Sequence, residues 1–177
     1  MSASRALDGP VLAVDVHYLE AGARVAGVLF DDWADPQATA AHTLNLDQVE
    51  DYAPGEFYRR ELPCLLALLG RIEPAPACIV VDGYVWLGAD RRPGLGAHLW
   101  QALDRRCPVV GVAKTRFADT PAEAEVCRGN SRRPLYVTSA GLDPEAARAA
   151  VRAMYGAHRL PELLKRADRL ARIGDAA

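Results

Sequence analysis

The sequence predicts one α/β domain over residues 1–177, with a central mixed β-sheet that carries helices on both faces. Three strand-like segments joined by short turns occupy residues 11–46, which is typical of an antiparallel meander. From residue 56 onward helical and strand-like segments alternate, which predicts parallel strands with crossover helices. A chain of 177 residues, half of them apolar, is long enough to bury the core of such a domain.

In the first third of the chain, compact apolar runs between turn residues predict the strands. These runs are Val11–Val16, Arg24–Phe30 and Thr39–Leu46. Pro54-Gly55 marks a loop, and four leucines at helical spacing then predict a helix over Glu56–Arg71. Pro63 lies early in that segment and places the start of its regular part near residue 63.

The rest of the chain continues the alternation. Cys78–Gly83 and Pro108–Ala113 are expected to be buried strands, separated by a Gly- and Arg-rich stretch, Tyr84–Gly96, and a helix over Ala97–Arg106. The remaining expected elements are an edge strand at Glu125–Cys127, a strand at Leu135–Thr138, and helices at Pro144–Tyr155 and Pro161–Ile173.

Composition and short motifs exclude several functional classes. A net charge of −2 gives no global attraction to nucleic acid or anionic lipid. The four cysteines show no metal-site spacing and are expected to be reduced thiols. No signal peptide, membrane-length apolar run, Gly-x-Ser-x-Gly elbow or phosphate-binding P-loop is found, so a soluble cytoplasmic protein is expected, without a membrane partner.

Two predicted strands each carry one acid. Asp15 lies inside the first strand, and Asp82 ends the strand that begins at Cys78. A buried carboxylate needs a cation or hydrogen-bond donors. If the two strands are neighbours, both carboxylates point to one place, which is an arrangement that Mg²⁺ prefers. The alternative is that each aspartate caps a turn or pairs with an arginine.

Four further features could belong to a phosphate-binding site. Glu61 is either a third acid of that site or a surface helix charge, and Lys114, at the end of a central strand, contacts either a phosphate or solvent. Arg91-Arg92, like Arg132-Arg133, could follow a phosphate backbone or be merely solvated. Tyr52, beside a Pro-Gly turn, could wedge into a base stack or be an ordinary half-buried tyrosine.

Taken in order, these segments resemble the endonuclease V family, the deoxyinosine-directed nucleases with a ribonuclease H-like fold. The resemblance runs from about residue 11 to 170. The matching pieces are Ala13–Val16, Tyr52–Gly55 followed by Arg60-Glu61, Val81–Gly83, Gly111–Lys114, Arg133–Thr138, and Tyr155 through Glu162 with Ala167-Asp168 beyond.

The resemblance implies a role for each acid. Asp15 and Asp82 match the family's metal-binding aspartates, and Glu61 matches its third catalytic acid, which is expected at the metal with them and helps to order its bound water. Lys114 matches the lysine near the scissile phosphate. The implied reaction is hydrolysis of a phosphodiester bond near inosine, in DNA or RNA, by water activated by Mg²⁺ (or Mn²⁺).

The resemblance also implies a surface for the substrate. Tyr52, Ala53 and Pro54 match the wedge that separates strands, and Gly83 matches the first glycine of the pocket for the flipped base. The expected binding surface also includes Tyr84, Arg91 and Arg92. Tyr84 and Trp86 could stack on an exposed base or could be packing residues.

The chain departs from the family pattern at two places. Tyr84 replaces a histidine and no His-Pro step precedes Arg91, so the loop over residues 84–94 is altered. Later, Leu142 stands where the family has a histidine that assists the active site. Asp143, next to it, either supplies an extra carboxylate or caps the following helix.

These observations lead to one main functional hypothesis and two alternatives. The main hypothesis is a metal-dependent endonuclease, favoured because all three acids are present. The first alternative is a nucleic-acid-binding protein with little or no catalysis, motivated by Leu142 and the altered loop. The second is a metal-dependent hydrolase of small nucleotides. It is suggested by the stretch between Lys114 and Arg133, which is shorter than in the family and leaves less surface for gripping duplex DNA. The sequence predicts no oligomeric state.

Overall fold

A computed structural model of the chain describes residues 7–51 and 53–174. Within these residues, none of the helices is long and apolar enough to cross a membrane. The elements in chain order are β1 (Val11–Tyr18), β2 (Ala23–Phe30), β3 (Ala40–Leu46), α1 (Tyr58–Leu69), β4 (Cys78–Asp82), β5 (Trp86–Leu87), β6 (Arg92–Pro93), α2 (Leu95–Ala102), β7 (Val109–Ala113), β8 (Glu125–Val126), β9 (Leu135–Ala140), α3 (Pro144–Ala153) and α4 (Glu162–Ile173).

One seven-stranded sheet runs in the order β3-β2-β1-β4-β7-β9-β8, and β5 and β6 form a separate two-stranded ribbon. β1, β2 and β3 form the predicted antiparallel meander. β1, β4 and β7 are mutually parallel, β9 is antiparallel to β7, and the edge strand β8 is antiparallel to β9. The predicted fold class, α/β with a mixed sheet, is confirmed.

Helices cover both faces of the sheet. Alternate residues of a strand point to opposite faces, so Val11 and Ala13 pack with α3 and α4, whereas Leu12 and Val14 pack in the cluster that includes α1 and α2. Because both faces are buried, the parallel strands are nearly continuous apolar runs. β1 nevertheless carries Asp15, at the first position beyond its pairing with β4.

Some boundaries differ from the sequence prediction. α1 begins at Tyr58 rather than near Pro63 and keeps that proline in its interior, on the exposed side. Proline has no N–H to donate, so this position lacks its helical hydrogen bond to the carbonyl of Arg59. β1 extends to Tyr18 because its antiparallel pairing with β2 continues beyond the end of its pairing with β4. The stretch predicted as a loop contains the β5–β6 ribbon.

Candidate active site

The two acid-bearing strands are neighbours. β1 and β4 run parallel, and their last paired residues are Val14 and Val81. The next positions are Asp15 and Asp82, on strands whose backbones are about 4.8 Å apart. Alternation directs both side chains to the face that α4 covers. The two carboxylates therefore lie side by side where the pairing of β1 with β4 ends, toward the carboxyl ends of adjacent parallel strands, where α/β proteins bind ligands.

Lys114 completes a row of three charges at this edge. β7 is parallel to β4 with Val112 opposite Asp82, and Lys114 follows two residues later on the same face. Its Nζ lies 3.4 Å from Oδ2 of Asp82, and more than a third of each side chain is exposed. An ion pair this exposed contributes little to stability, so the ammonium can exchange the carboxylate for a phosphate oxygen at small cost.

Glu61 approaches the row from the opposite helical layer. It lies in the first turn of α1, and a narrow cleft between that helix and the strand ends is lined by Glu61, Asp15 and Asp82. Burial, with a contribution from the charge of Asp82, raises the pKa of Glu61 to about 7. The carboxyl group can therefore hold or release a proton near neutral pH.

Asp15 experiences the same conflict of charge and burial. Burial, followed by the charge of Asp82, raises the pKa of Asp15 to about 7. The N–H of Val16 donates a hydrogen bond to its Oδ1 at 2.8 Å, which favours the ionised form but does not outweigh the other effects. The raised pKa values of Asp15 and Glu61 thus both arise from burial and from the nearby charge of Asp82.

Asp168 is a fourth acid at this site, and no sequence pattern predicted a role for it. It lies on α4, lines the cleft that contains Asp15, Asp82 and Lys114, and shares a hydrogen bond with Asp15. Burial would raise its pKa, but hydrogen bonds from Arg172, at 3.0 Å, and from Asp15 hold that pKa below its usual value. The sequence signal that could have identified Asp168 is its place next to Ala167, which belongs to the buried face of α4.

The acids fit a divalent metal in one particular way. Among residues 7–51 and 53–174, no three histidine, cysteine or acidic side chains come together closely enough to hold a metal ion by themselves. Mg²⁺, however, is commonly bound by one or two carboxylates, with waters and substrate phosphates as its other ligands. Asp15 and Asp82 match that donor set, and their mutual repulsion is of the kind that a bound cation relieves.

The predicted wedge loop forms a tight turn next to α1. Tyr52 lies outside the described residues, so its role stays a prediction. The N–H of Glu56 donates to the carbonyl of Ala53 at 3.0 Å, and Gly55 has φ +79°, which fits a type II turn with Pro54 at its second position. Pro54 is exposed, and the turn leads within a few residues into the helix that carries Glu61.

Gly83 follows Asp82 in a conformation that favours glycine. Its φ of +135° would strain any other residue, and nothing lies within 4 Å of the position that a Cβ would occupy. Its N–H donates to the carbonyl of Val112 at 3.1 Å. The backbone therefore presents an open surface beside the acids, which is compatible with the predicted base pocket.

Tyr84 and Trp86 are packing residues, as one of the two sequence interpretations held. Tyr84 is only 9% exposed; its hydroxyl donates to the carbonyl of Thr115 at 2.8 Å and accepts from the N–H of Phe117 at 3.0 Å. The indole N–H of Trp86 donates to the carbonyl of Ser139 at 2.9 Å. The hydroxyl of Tyr84 thus has partners within the protein, and a contact of Tyr84 with substrate stays a prediction.

Arg91 and Arg92 are exposed on the β5–β6 segment. The guanidinium of Arg91 lies 5.0 Å from the centre of the Trp86 ring, and Arg92 forms an ion pair with Asp90 at 3.2 Å. These contacts restrain the two side chains without burying them. Both arginines can therefore still meet a phosphate backbone, as the sequence analysis expected.

Leu142 and Asp143 lie at the opposite end of the sheet from the acids. β9 is antiparallel to β7 and pairs Ala140 with Val109, so its end lies one strand length, about 16 Å, from the edge with Lys114. Leu142 is 7% exposed and packs in the core. The expectation that a histidine lost here affects the site is wrong. Asp143 is the N-cap of α3, accepting from the N–H of Ala146 at 3.0 Å, and is not an extra site carboxylate.

Known proteins share much of this sequence. A sequence model of the family described as Endonuclease V matches residues 3–169. The endonuclease V of Rhodospirillum centenum is 33% identical over 93% of this chain and 78% of its own length. The endonuclease V of Streptomyces coelicolor is 31% identical over 96% of this chain and 81% of its own length.

Solved structures show the same fold. The endonuclease V of Streptomyces avermitilis superposes with a TM-score of 0.74 at 29% identity, covering 94% of this chain and 81% of that one. The Ciona intestinalis endonuclease V, solved with a 24-mer DNA containing an inosine followed by a ribo-adenosine, has a TM-score of 0.74 at 19% identity, covering 93% and 84%. The second likeness concerns the fold alone. The ribonuclease H-like fold is confirmed.

Proposed function

The chain belongs to the endonuclease V family, and on that premise we propose that it is a metal-dependent endonuclease that cuts nucleic acid near inosine. One observation carries the proposal. Asp15, Asp82 and Lys114 lie side by side on one face of the sheet, toward the carboxyl ends of three adjacent parallel strands. Acids and a cation in one row suit the binding of a divalent metal and of a phosphodiester.

The residues have separate roles in this proposal. Asp15 and Asp82 would hold Mg²⁺ or Mn²⁺, with Glu61 and Asp168 next to them. When bound, the metal supplies charge neutralisation at the phosphate and acidifies water. Lys114, exposed beside Asp82, contacts the scissile phosphate and offsets its developing charge. Glu61, whose pKa is about 7, accepts a proton from the attacking water.

The surface around the acids supports a nucleic acid substrate. The relative from Ciona was solved with inosine-containing DNA, which makes inosine the first base to test. Ala53 and Pro54, with Tyr52, form the wedge, and the open backbone at Gly83 receives the flipped base. Arg91 and Arg92, which remain exposed, contact the phosphate backbone.

The experiment is cleavage of labelled oligonucleotides with Mg²⁺, with Mn²⁺ and with EDTA. The substrates are DNA and RNA strands that contain inosine, uracil, a mismatch or no modified base. Asp82→Asn is the test variant, and Asp143→Asn is its matched control. The control makes the same chemical change at the opposite end of the sheet, where asparagine caps a helix as well as aspartate does.

The outcomes separate this proposal from its alternatives. Metal-dependent cutting near inosine, lost in Asp82→Asn and retained in Asp143→Asn, is the expected result. Cutting at equal rates with and without inosine would support the nuclease activity but contradict the proposed base pocket at Gly83. Binding of the oligonucleotides without cutting by any folded variant would favour the nucleic-acid-binding protein.

A further inference from the structure

The side chain of Arg159 donates a hydrogen bond to the backbone of Lys114. One terminal nitrogen of the guanidinium, Nη2, donates to the carbonyl of Lys114 and, at 2.9 Å, to that of Pro134. Nε donates to the carbonyl of Arg133 at 3.2 Å. One side chain thus joins the residue that follows β7 to the loop that precedes β9.

The place of Lys114 explains why such a contact matters. The last paired residue of β7 is Ala113, opposite Tyr136, so Lys114 lies one residue beyond the ladder. Its side chain reaches toward Asp82, with 3.4 Å between Nζ and Oδ2. Beyond the end of a strand, sheet hydrogen bonds no longer fix the backbone. The bond from Arg159 takes their place at the residue whose ammonium faces the acids.

Arg159 is itself held in place by a second arginine. Arg128 is 5% exposed and donates only to backbone carbonyls among its described contacts. Nη1 donates to those of His158, at 2.7 Å, and Arg159, at 3.3 Å, and Nη2 to those of Met154 and Gly156. The connection between α3 and α4, which carries Arg159, is therefore anchored at four points.

We infer that Arg159 is a positioning residue that sets Lys114 against the phosphate to be cut. The inference deepens the proposed function and rests on it, since the role of Lys114 in cleavage is part of that proposal. The planar guanidinium is suited to this task because it presents several N–H groups in a fixed fork, whereas an ammonium acts as a single point charge. Arg159 does not itself contact the reacting atoms; it acts through Lys114.

The test is a double-mutant cycle on single-turnover cleavage. Arg159→Lys keeps the charge but cannot reach three carbonyls at once. We expect the maximal single-turnover rate constant to fall by roughly 10²-fold, the penalty for a misplacement of about 1 Å, with little change in the half-saturating concentration. In a Lys114→Ala background the same substitution should cause no further loss, because residues that act through one another are not additive. Arg152→Lys, on an exposed arginine of α3, is the matched control.

Two results of the cycle would overturn the inference. One is an equal loss from Arg159→Lys with and without Lys114, which would mean that Arg159 acts independently of that lysine. The other is full activity in Arg159→Lys. Melting temperatures of all variants are compared first, and Arg159→Gln replaces Arg159→Lys if the lysine variant does not fold.

A second readout does not depend on cleavage. Lys114 and Lys165 are the only lysines in the sequence, so reductive methylation with ¹³C-formaldehyde gives two lysine NMR signals besides that of the N-terminus. Arg159→Lys introduces one more lysine signal, so Arg159→Gln is used here. The Lys114 signal should shift in Arg159→Gln but not in Arg152→Gln, with Lys165 as internal reference. If the wild type cuts nothing yet this signal shifts, the proposed function fails while the positioning contact stands. If the signal does not move, the inference fails whatever the wild type cuts.

Discussion

Asp15 and Glu61 are acids that the fold has partly removed from water. Burial and the nearby charge of Asp82 raise the pKa of each to about 7. Groups perturbed in this way are concentrated at functional sites, because a structure selected for stability alone would pair them or replace them. The perturbation makes the two residues sensitive to protons and to metal ions.

Replacing Asp15 tests this conflict between stability and activity. Asp15→Asn removes both a proposed metal ligand and one of the repelling charges. Because the ligand is lost, we expect metal-dependent cleavage to fall by about 10²-fold or more, the scale seen when one transition-state contact is deleted. The metal-free variant should melt at the same temperature as the wild type at pH 8, or higher. Differential scanning fluorimetry beside the cleavage assay measures both. Retained cleavage, or a lower melting temperature at pH 8, would contradict the assigned role.

Asp168 offers a second test at the residue scale. Its hydrogen bond with Asp15 ties α4 to the strand ends. We expect Asp168→Asn to weaken the binding of Mn²⁺, because it removes a negative charge from the cleft. Isothermal titration calorimetry with Mn²⁺ measures the change. Asp104→Asn is the control, since Asp104 has a positive φ that asparagine tolerates and is exposed. Equal Mn²⁺ affinity in both variants would exclude Asp168 from the metal site.

At the scale of elements, direction decides which residues can act together. β1, β4 and β7 run parallel and bring Asp15, Asp82 and Lys114 to one edge. β9 runs antiparallel to β7 and carries the start of α3 to the other edge. Asp82 and Lys114 therefore lie at the same edge of the sheet, whereas Asp143 lies at the opposite edge, one strand length away.

Asp143, the N-cap of α3, is expected to contribute to stability but not to activity. Asp143→Ala removes the hydrogen bond to the N–H of Ala146. We expect the free energy of unfolding to fall by about 0.5–2 kcal/mol, as for other N-cap losses, with kcat unchanged at a temperature where the variant is folded. Urea unfolding and the cleavage assay measure the two quantities. A loss of kcat in the folded variant would contradict the conclusion that Asp143 is not part of the active site.

At the scale of the whole molecule, the raised pKa values predict how stability depends on pH. Asp15 and Glu61 titrate near pH 7 in the folded protein, against usual values of 3.8 and 4.5. Between about pH 4 and 7 the folded protein keeps protons that the unfolded chain has lost. The contribution of these groups to stability is therefore fully present below about pH 4, declines as the pH rises to 7, and is absent above it.

This dependence gives a whole-molecule prediction. The melting temperature of the metal-free protein should fall more steeply between pH 5 and 7.5 than that of an Asp15→Asn/Glu61→Gln double variant. Mg²⁺ should raise the wild-type melting temperature at pH 8 more than at pH 5, because metal binding requires ionised carboxylates. Parallel pH profiles for wild type and double variant, or no effect of Mg²⁺ at pH 8, would be the contrary results.

Local patterns in the sequence determined much of this protein. The three-stranded meander, the alternation of helix and strand, and the presence of one acid in each of two buried strands are all visible there, since apolar periodicity and turn residues act over a few positions. The same patterns predicted that Asp15 and Asp82 would be adjacent if their strands were, and the structure places those strands side by side.

Only the tertiary structure decided which distant residues share a site. Asp168 reaches Asp15 because α4 packs across β1, and Arg159 reaches Lys114 because the α3–α4 connection lies behind β7. Leu142, which a short motif had suggested for the site, is instead in the core because β9 runs in the opposite direction. Such contacts depend on the pairing and direction of strands far apart in the chain, and local periodicity contains no information about either.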